Sequence, residues 1–505
     1  MECHRFSFKK SKQIAIFYNN ACKRAIFLYQ VCDKVCYNKA IIKYGGKIML
    51  FENGCVKELK LAYIGGGSRG WAWTLMNDLK KADDLSGTVY LYDIDFKAAC
   101  DNEVIGNKID GGAWKYKAVK TAKEAMTGAD FVIVSILPGT FDEMAVDVHA
   151  PEKYGVYQSV GDTAGPGGFI RALRTIPMMR EIAANVRKYC PNAFVINYTN
   201  PMAVCVGALY REFPQIKAYG CCHEVFGTQK LLMSALKEME GIEIPREDVC
   251  VNVVGVNHFT WFTSATWQNR DLFKVYDKFI EKYYESGYNR KGIGNWMNDS
   301  FTSNARVRMD LYRRFGYVAA AGDRHLAEFM DNSDYLASPQ CVKDWMFGLT
   351  TVDWRKNHLV ERLARSARLY SGEETWELKD TGEEGVAQIR ALLGLGTMVT
   401  NINVPNEGQI ANLPHGTIVE TNAAFRDGSV QPVFAGRVPD SIYPMISRAA
   451  RENDDILDAG FSGDLAYCFE KFKNLNMIKA LTDAQKRELF DTMIEGTKKY
   501  LGDYK

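Results

Sequence analysis

The chain has 505 residues, 47% of them hydrophobic and 25% charged, and its 63 basic and 61 acidic side chains leave a formal net charge of +2. That is ordinary composition for a soluble globule with a sizeable core, and its balance gives no bulk electrostatic reason to bind nucleic acid or an anionic membrane. No apolar run of about eighteen residues occurs and no signal-peptide succession opens the chain, so neither membrane spanning nor secretion is expected. The 13 cysteines, an odd number without repeated spacing, read as free thiols in a reducing compartment, and the cytoplasm is the expected location.

Residues 1–56 are rich in Lys, Cys, Phe and Tyr with weak helical periodicity. They read as an N-terminal extension: a disordered tail or gene-model artefact ahead of a start at Met49, or else a helical appendage. The pattern sharpens at ELKLAYIGGGSRG, residues 58–70, where an apolar strand runs into glycines and then a helix. Gly65, Gly67 and Gly70 match G-x-G-x-x-G, with Ser68 and Arg69 between them. That spacing serves a tight turn, close approach to a pyrophosphate and close helix packing, with the phosphates on the helix N-terminus. Alone the motif is weak. TVYLYDID at 88–95 adds a second strand that places Asp93 about twenty residues on, where a carboxylate accepts from ribose hydroxyls and favours NAD over NADP.

A helix near 97–110 follows, then the apolar run DFVIVSIL at 130–137, a helix over 168–190, AFVINYTNP at 193–201 and KAYGCCHEV at 217–225. Strand and helix in alternation predict an α/β, doubly wound, Rossmann-type NAD-binding domain over residues 57–250, with its crevice at the C-terminal strand ends. VCVNVVGVNHFTWF at 249–262 is another β-rich run. Long aromatic and basic helices between 271 and 370, short strands within 399–435 and amphipathic helices from 441 predict a mostly helical α+β domain for substrate, metal and oligomerisation over 251–505. The whole has the architecture of a lactate or malate dehydrogenase.

Several strand ends stop in polar residues where the sheet otherwise buries Val, Ile and Phe. NYTNP gives Asn197 and Asn200; CCHE gives Cys221, Cys222, His223 and Glu224; VNHF gives Asn257 and His258. A thiolate and an imidazole together suit a borderline divalent metal with open positions for substrate oxygens; equally, Cys222 reads as a small buried hydrophobe and His258 as a hydrogen-bonded core histidine. In GDTAGPGGFIRALR, residues 161–174, Asp162 and Thr163 precede a rigid turn that either aims the acid or caps the helix with it. LYRRFGY at 311–317 and AGDRHLAEF at 321–329 crowd Tyr312, Tyr317, Arg313, Arg314, Asp323, Arg324 and His325, as a site or as a solvated helix face.

The glycine loop, GDTAGPGG, NYTNP, CHEV, VNHF and, further on, NVPNEGQIANLP, in this order, resemble glycoside hydrolase family 4, from about Glu58 to the C-terminal helices. The resemblance implies NAD and a divalent metal, usually manganese, in a hydrolysis that lacks the usual carboxylate pair. It implies oxidation at C3 of the sugar, removal of the acidified C2 proton, elimination of the aglycone, addition of water and re-reduction. Carried over residue by residue, Cys222 and His258 are metal ligands and Asn200, with Asn197 beside it, contacts the sugar. His223 stands where the phosphoglycosidase branch has an aspartate as proton donor. Asp162 raises the basicity of a catalytic tyrosine, Tyr312 by preference or Tyr317, whose ionisation the flanking arginines favour.

SILPGTFDEM at 135–144 has no arginine where the phosphoglycosidase branch holds its phosphate, and CHEV looks like the α-galacturonidase group. A non-phosphorylated α-galacturonide is therefore the expected substrate, with Arg324 or Arg171 for its carboxylate. Alternatives are an α-galactosidase, α-glucosidase or α-glucuronidase of the same family, or a plain NAD-dependent dehydrogenase of the 2-hydroxyacid type. A homodimer or homotetramer is expected, with no nucleic-acid or membrane partner.

Overall fold

The computed structural model describes residues 51–52, 54–289, 303–349, 351–502 and 504–505 with their side chains, and ahead of them only the backbone of short strands between Cys3 and Glu52. The extension expected over residues 1–56 thus falls almost wholly outside the described residues. The backbone strands there pair antiparallel in chain order and meet Cys55–Ile64 through Glu52↔Cys55.

From Cys55 onward, strand and helix alternate. Trp114–Val119, Leu85–Tyr92, Cys55–Ile64, Phe131–Val134, Phe194–Asn197 and Lys217–Gly220 lie side by side in that spatial order, all parallel. This is the doubly wound order, and it reverses between Cys55–Ile64 and Phe131–Val134, which is where such sheets open a crevice. Every residue of Phe131–Val134 and of Phe194–Asn197 is buried, because helices cover both faces and the strands need apolar side chains on each.

The second part of the chain does not stand apart from this sheet. Met398–Pro405 pairs antiparallel with Lys217–Gly220 at Gly220↔Asn403, and Ile418–Arg426 and Ser429–Pro432 continue outward. A separate four-stranded antiparallel sheet is built on Cys250–Val256 and Phe259–Trp267, with Arg270–Asp271 and Val318–Ala319 at its edges. VNHF is therefore not the end of a parallel strand. Asn257 and His258 are the two residues of its hairpin turn, and His258 has φ 64°, in the left-handed region that few non-glycine residues adopt.

The long helix Gly165–Tyr189 is tied to the helix Phe141–His149 by a fully buried ion pair, Arg174 to Asp147, made through both guanidinium nitrogens. The loop between these helices is held from both sides: Gln158 donates to Asp147 O and accepts from the Gly167 amide, and Glu328 Oε1 accepts from the amides of Val160 and Gly161 at 2.7 and 2.9 Å. Asp162 sits on that loop. Among the described residues no helix is long and apolar enough to cross a membrane.

Candidate active site

At the crevice, the chain after Cys55–Ile64 turns so tightly that Gly65 has φ 92°, and a Cβ there would lie 1.9 Å from the Ser135 carbonyl oxygen. A Cβ on Gly67 would lie 2.6 Å from that of Ala98. No side chain fits at either place, so the backbone is bare where a pyrophosphate would approach. Buried Asn102 fastens the turn: its Nδ2 donates to Gly66 O and Ser68 O, and its Oδ1 accepts from Trp73 Nε1. Asp93 accepts from the Gly67 amide through Oδ2 (2.8 Å) and from the Asp95 amide through Oδ1 (2.9 Å). Each oxygen keeps a lone pair for a ribose hydroxyl, and the cradle fits a dinucleotide.

Further along the same edge the hairpin turn, the Asp162 loop and the helix Asp323–Phe329 converge. One ligand atom from each of Asp162, His258 and His325 lies within 4.8 Å of the others. The imidazoles are 3.8 Å apart between ring centroids. Thr163 settles the tautomer of the first: its hydroxyl donates to Asp162 Oδ1 (2.7 Å) and lies 3.0 Å from His258 Nδ1, so Nδ1 carries the hydrogen and the Nε2 lone pair is left for a ligand.

Burial pushes His258 down to about 3, with the charge of His325 adding to it, and burial lowers His325 too. Burial alone would raise Asp162, but His258, Arg171 and His325 hold its carboxyl well below the usual range. Behind His325, Glu224 Oε1 lies 3.7 Å from Nε2 while Oε2 accepts from the Gly322 amide. Glu224 is held down to about 2, against burial, chiefly by His325. Two neutral imidazoles and a carboxylate make a set suited to a borderline divalent metal. His325 Nδ1, Asn200 Oδ1 and Asn257 Oδ1 are buried without partners among the described residues, as expected of atoms waiting for a ligand.

The profile of the family 4 glycosyl hydrolases matches residues 60–238, and that of their C-terminal domain matches residues 253–474. The chain belongs to glycoside hydrolase family 4. An alpha-galacturonidase of Thermoanaerobacterium saccharolyticum is 56% identical over 90% of this chain and 99% of its own; one of Bacillus subtilis is 48% identical over 88% and 99%. The solved Bacillus subtilis structure named lplD superposes with a TM-score of 0.84 at 49% identity, covering 86% of this chain and 100% of that one.

In this family 4 chain several expected residues have partners away from the Asp162, His258 and His325 group. Tyr312 does not join the group: its hydroxyl donates to Asp277 Oδ1 (2.9 Å) on the helix Leu272–Tyr283, and burial together with that carboxylate pushes it up, away from ionisation. The arginines meant to ionise it are engaged elsewhere, Arg313 over the Tyr284 ring and Arg314 with Asp334 and Asp310. Tyr317 is half-buried against the core and has no hydrogen bond to the group. Cys222 stands outside the three-residue group; it packs on the apolar cluster of Met202, Ala203, Val206 and Ile418, and burial, with Glu420 and Glu224 adding, pushes its thiol well up.

Asn197 is spent on its own turn, exchanging hydrogen bonds with the Thr199 backbone. Arg324 serves the carbonyls of Gly348 and Ser159, whereas Arg171 gives only its Nε, to Asn200 O, and bears on Asp162 with the rest of its guanidinium. His223 is exposed on the rim, with Nδ1 3.2 Å from Glu383 Oε1; burial opposes its protonation, and Glu383 more than offsets this to raise it. The residue that sequence reasoning undervalued is His325, left among a crowd of charges. The signal was its place three residues after Gly322, at the start of a short helix pointing back to the hairpin.

Proposed function

We propose that this enzyme hydrolyses α-linked galacturonic acid, using NAD and a divalent metal, manganese in the family's usual form. What carries the reading is that relatives named alpha-galacturonidase match nearly their whole length at 48% identity or more, while the alpha-galactosidase of Bacillus subtilis stands at 28%. When bound, NAD would accept hydride from C3 of the sugar and the metal would act as a Lewis acid toward the oxygen there. Gly65, Gly67, Ser68, Arg69 and Asp93 would hold the first, and His258 through Nε2, His325 and Asp162 the second.

The rest falls to the chain's own side chains. Asn200 accepts from a sugar hydroxyl through its unpartnered Oδ1. Arg171, whose terminal nitrogens have no acceptor among the described residues, meets the uronate carboxylate. His223 donates a proton to the leaving oxygen, because Glu383 keeps its imidazole protonated toward neutral pH and takes the Nδ1 hydrogen, leaving Nε2–H to give. A cytoplasmic homo-oligomer completes the proposal: the described cysteines are all free, and Val360 and Phe434 are 65% and 70% exposed.

The test is hydrolysis in heavy water with NAD, manganese and reductant, over α-linked galacturonic, glucuronic, galactose and glucose donors. Turnover is expected on the galacturonide, with deuterium at C2 of the product. Sugar released without deuterium, or by enzyme stripped of NAD, would show a direct displacement and overturn the reading.

A further inference from the structure

The helix Val352–Ser371 belongs to the second part of the chain but lies across the cofactor loop, and we propose that its Arg362 clamps the pyrophosphate of the bound dinucleotide from the side opposite the glycines. The inference rests on the NAD reading above and adds to it a residue that the glycine motif does not contain.

The third glycine of a G-x-G-x-x-G loop is ordinarily there so that helix and strand can pack closely. Here a side chain from elsewhere in the chain also reaches it. A Cβ on Gly70 would lie 2.6 Å from Arg362 Nη1 and 3.4 Å from its Cζ, and the three nearest atoms it would meet all belong to that guanidinium. The helix that carries Arg362 is pinned on either side of it. Lys356 pairs with Asp142, Arg365 lies over the Trp73 ring at 5.9 Å, and Lys108 Nζ donates to Tyr370 O.

The charges along this helix isolate Arg362. Arg365 and Arg368 share the carboxylate of Glu374, and Arg355 faces Asp162. Arg362 is exposed and has no hydrogen bond or ion pair with any described residue. Its neighbours are unfavourable as they stand: the amides opening the helix Trp71–Lys81 carry the positive end of a helix dipole, and Arg355 is a second guanidinium close enough to be disfavoured by it. Positive features set side by side are stabilised when an anion enters. A pyrophosphate carries two charges and paired non-bridging oxygens that a planar guanidinium grips through two hydrogen bonds. Arg69, within the loop, supplies a second cation without a hydrogen bond among the described residues, so the anion would be held from both sides.

The experiment is equilibrium binding to the metal-free full chain of NAD and ADP-ribose by calorimetry, and of adenosine by saturation-transfer NMR, for wild type, Arg362→Ala and Arg362→Lys. Arg362→Ala should weaken NAD and ADP-ribose by about tenfold or more, the range for losing a charge-assisted hydrogen bond, and leave adenosine, which has no phosphate, unchanged. Arg362→Lys should recover part of the loss. Tight NAD binding by wild type with equal affinity in Arg362→Ala overturns this inference alone, as does a loss shared by adenosine. A wild-type chain that binds neither NAD nor ADP-ribose overturns the cofactor reading and the clamp with it.

Discussion

The glycine loop and the Asp162, His258 and His325 group occupy the same edge of the sheet and are held there in opposite ways. The loop is fixed by neutral groups: backbone amides, the carboxamide of Asn102 and the indole of Trp73, with Asp93 as its single charge. The group is made of ionisable side chains whose protonation is set by burial, which lowers both imidazoles, and by the positive groups around Asp162, which hold its carboxyl low. A neutral, hydrogen-bonded cradle keeps its shape over a wide pH range, while a buried group of ionisable side chains depends on the protonation of each member. Each should therefore fail without the other.

The largest separation is expected from the group. His258→Ala removes the imidazole whose Nε2 is left open, and Asp162→Asn removes the carboxylate. Either should lower manganese affinity by more than about a hundredfold, the range already reached by losing outer partners of a metal site, and abolish hydrolysis. NAD affinity should stay within about twofold, since no group of the cradle is touched. Equal loss of metal and NAD affinity in both variants would mean that the two regions act as one.

The next expectation sets the group's buried surroundings against pH. Glu328, which holds the Asp162 loop, is pushed up from 4.5 to about 7 by burial, against the two amides it accepts from. The folded state keeps this proton in a range where the unfolded chain has lost it, so its contribution to stability is whole below the unfolded value and is lost as pH rises through about 7. A tenfold difference in proton affinity between the two states is worth about 1.4 kcal/mol, which bounds the effect at about 3 kcal/mol. Glu328→Gln keeps the acceptor and has no proton to lose. Thermal melts from pH 5 to 8 should show wild type losing several degrees more than the variant, and parallel curves would remove Glu328 as the cause.

The cradle has its own perturbation, of smaller size. Asn102→Ala leaves Gly66 O, Ser68 O and Trp73 Nε1 without partners in a buried place, costing about 1–3 kcal/mol. It should weaken NAD and leave manganese affinity alone, the reverse of the His258 result. Calorimetry on both ligands checks this, and unchanged NAD affinity in a well-folded variant would show that Asn102 is needed only for stability.

This division also explains what the sequence made legible. Gly65, Gly67, Gly70 and Asp93 fall within one β–turn–α–β segment, where a short-range pattern fixes the geometry, and the doubly wound order followed from the same alternation. The candidate metal group draws on a loop, a hairpin turn and a helix start that are remote in the chain. Asp162 and His258 stood out because each interrupts an apolar or glycine-rich stretch. His325 did not, because Asp323 and Arg324 beside it looked like a solvated face, and both proved buried. Cys222 was legible only as a strand-end cysteine, a pattern that does not say which neighbours the sulfur meets; it packs on the apolar cluster beneath and also feels the Asn257 side chain and the charge of Glu224. Met398–Pro405 joining the parallel sheet depended on a pairing about 180 residues apart, which no local periodicity records.

Tyr312 offers the smallest effect and the cleanest test of where the group ends. Helix Arg306–Phe315 has two faces that could carry a tyrosine inward, and the periodicity of LYRRFGY alone does not choose between the crevice and the neighbouring helix. In the structure Tyr312 lies against Phe273 and Tyr276, edge to face, and its hydroxyl is satisfied by Asp277. Tyr312→Phe keeps the ring contacts and deletes one half-exposed hydrogen bond, a cost of about 0.5–1.5 kcal/mol. Hydrolysis and deuterium exchange at C2 should both stay within about threefold of wild type, because a base must reach the proton it takes. A drop of a hundredfold with NAD and manganese still bound would mean that this side chain leaves Asp277 and swings into the crevice on substrate binding, extending the group by one element.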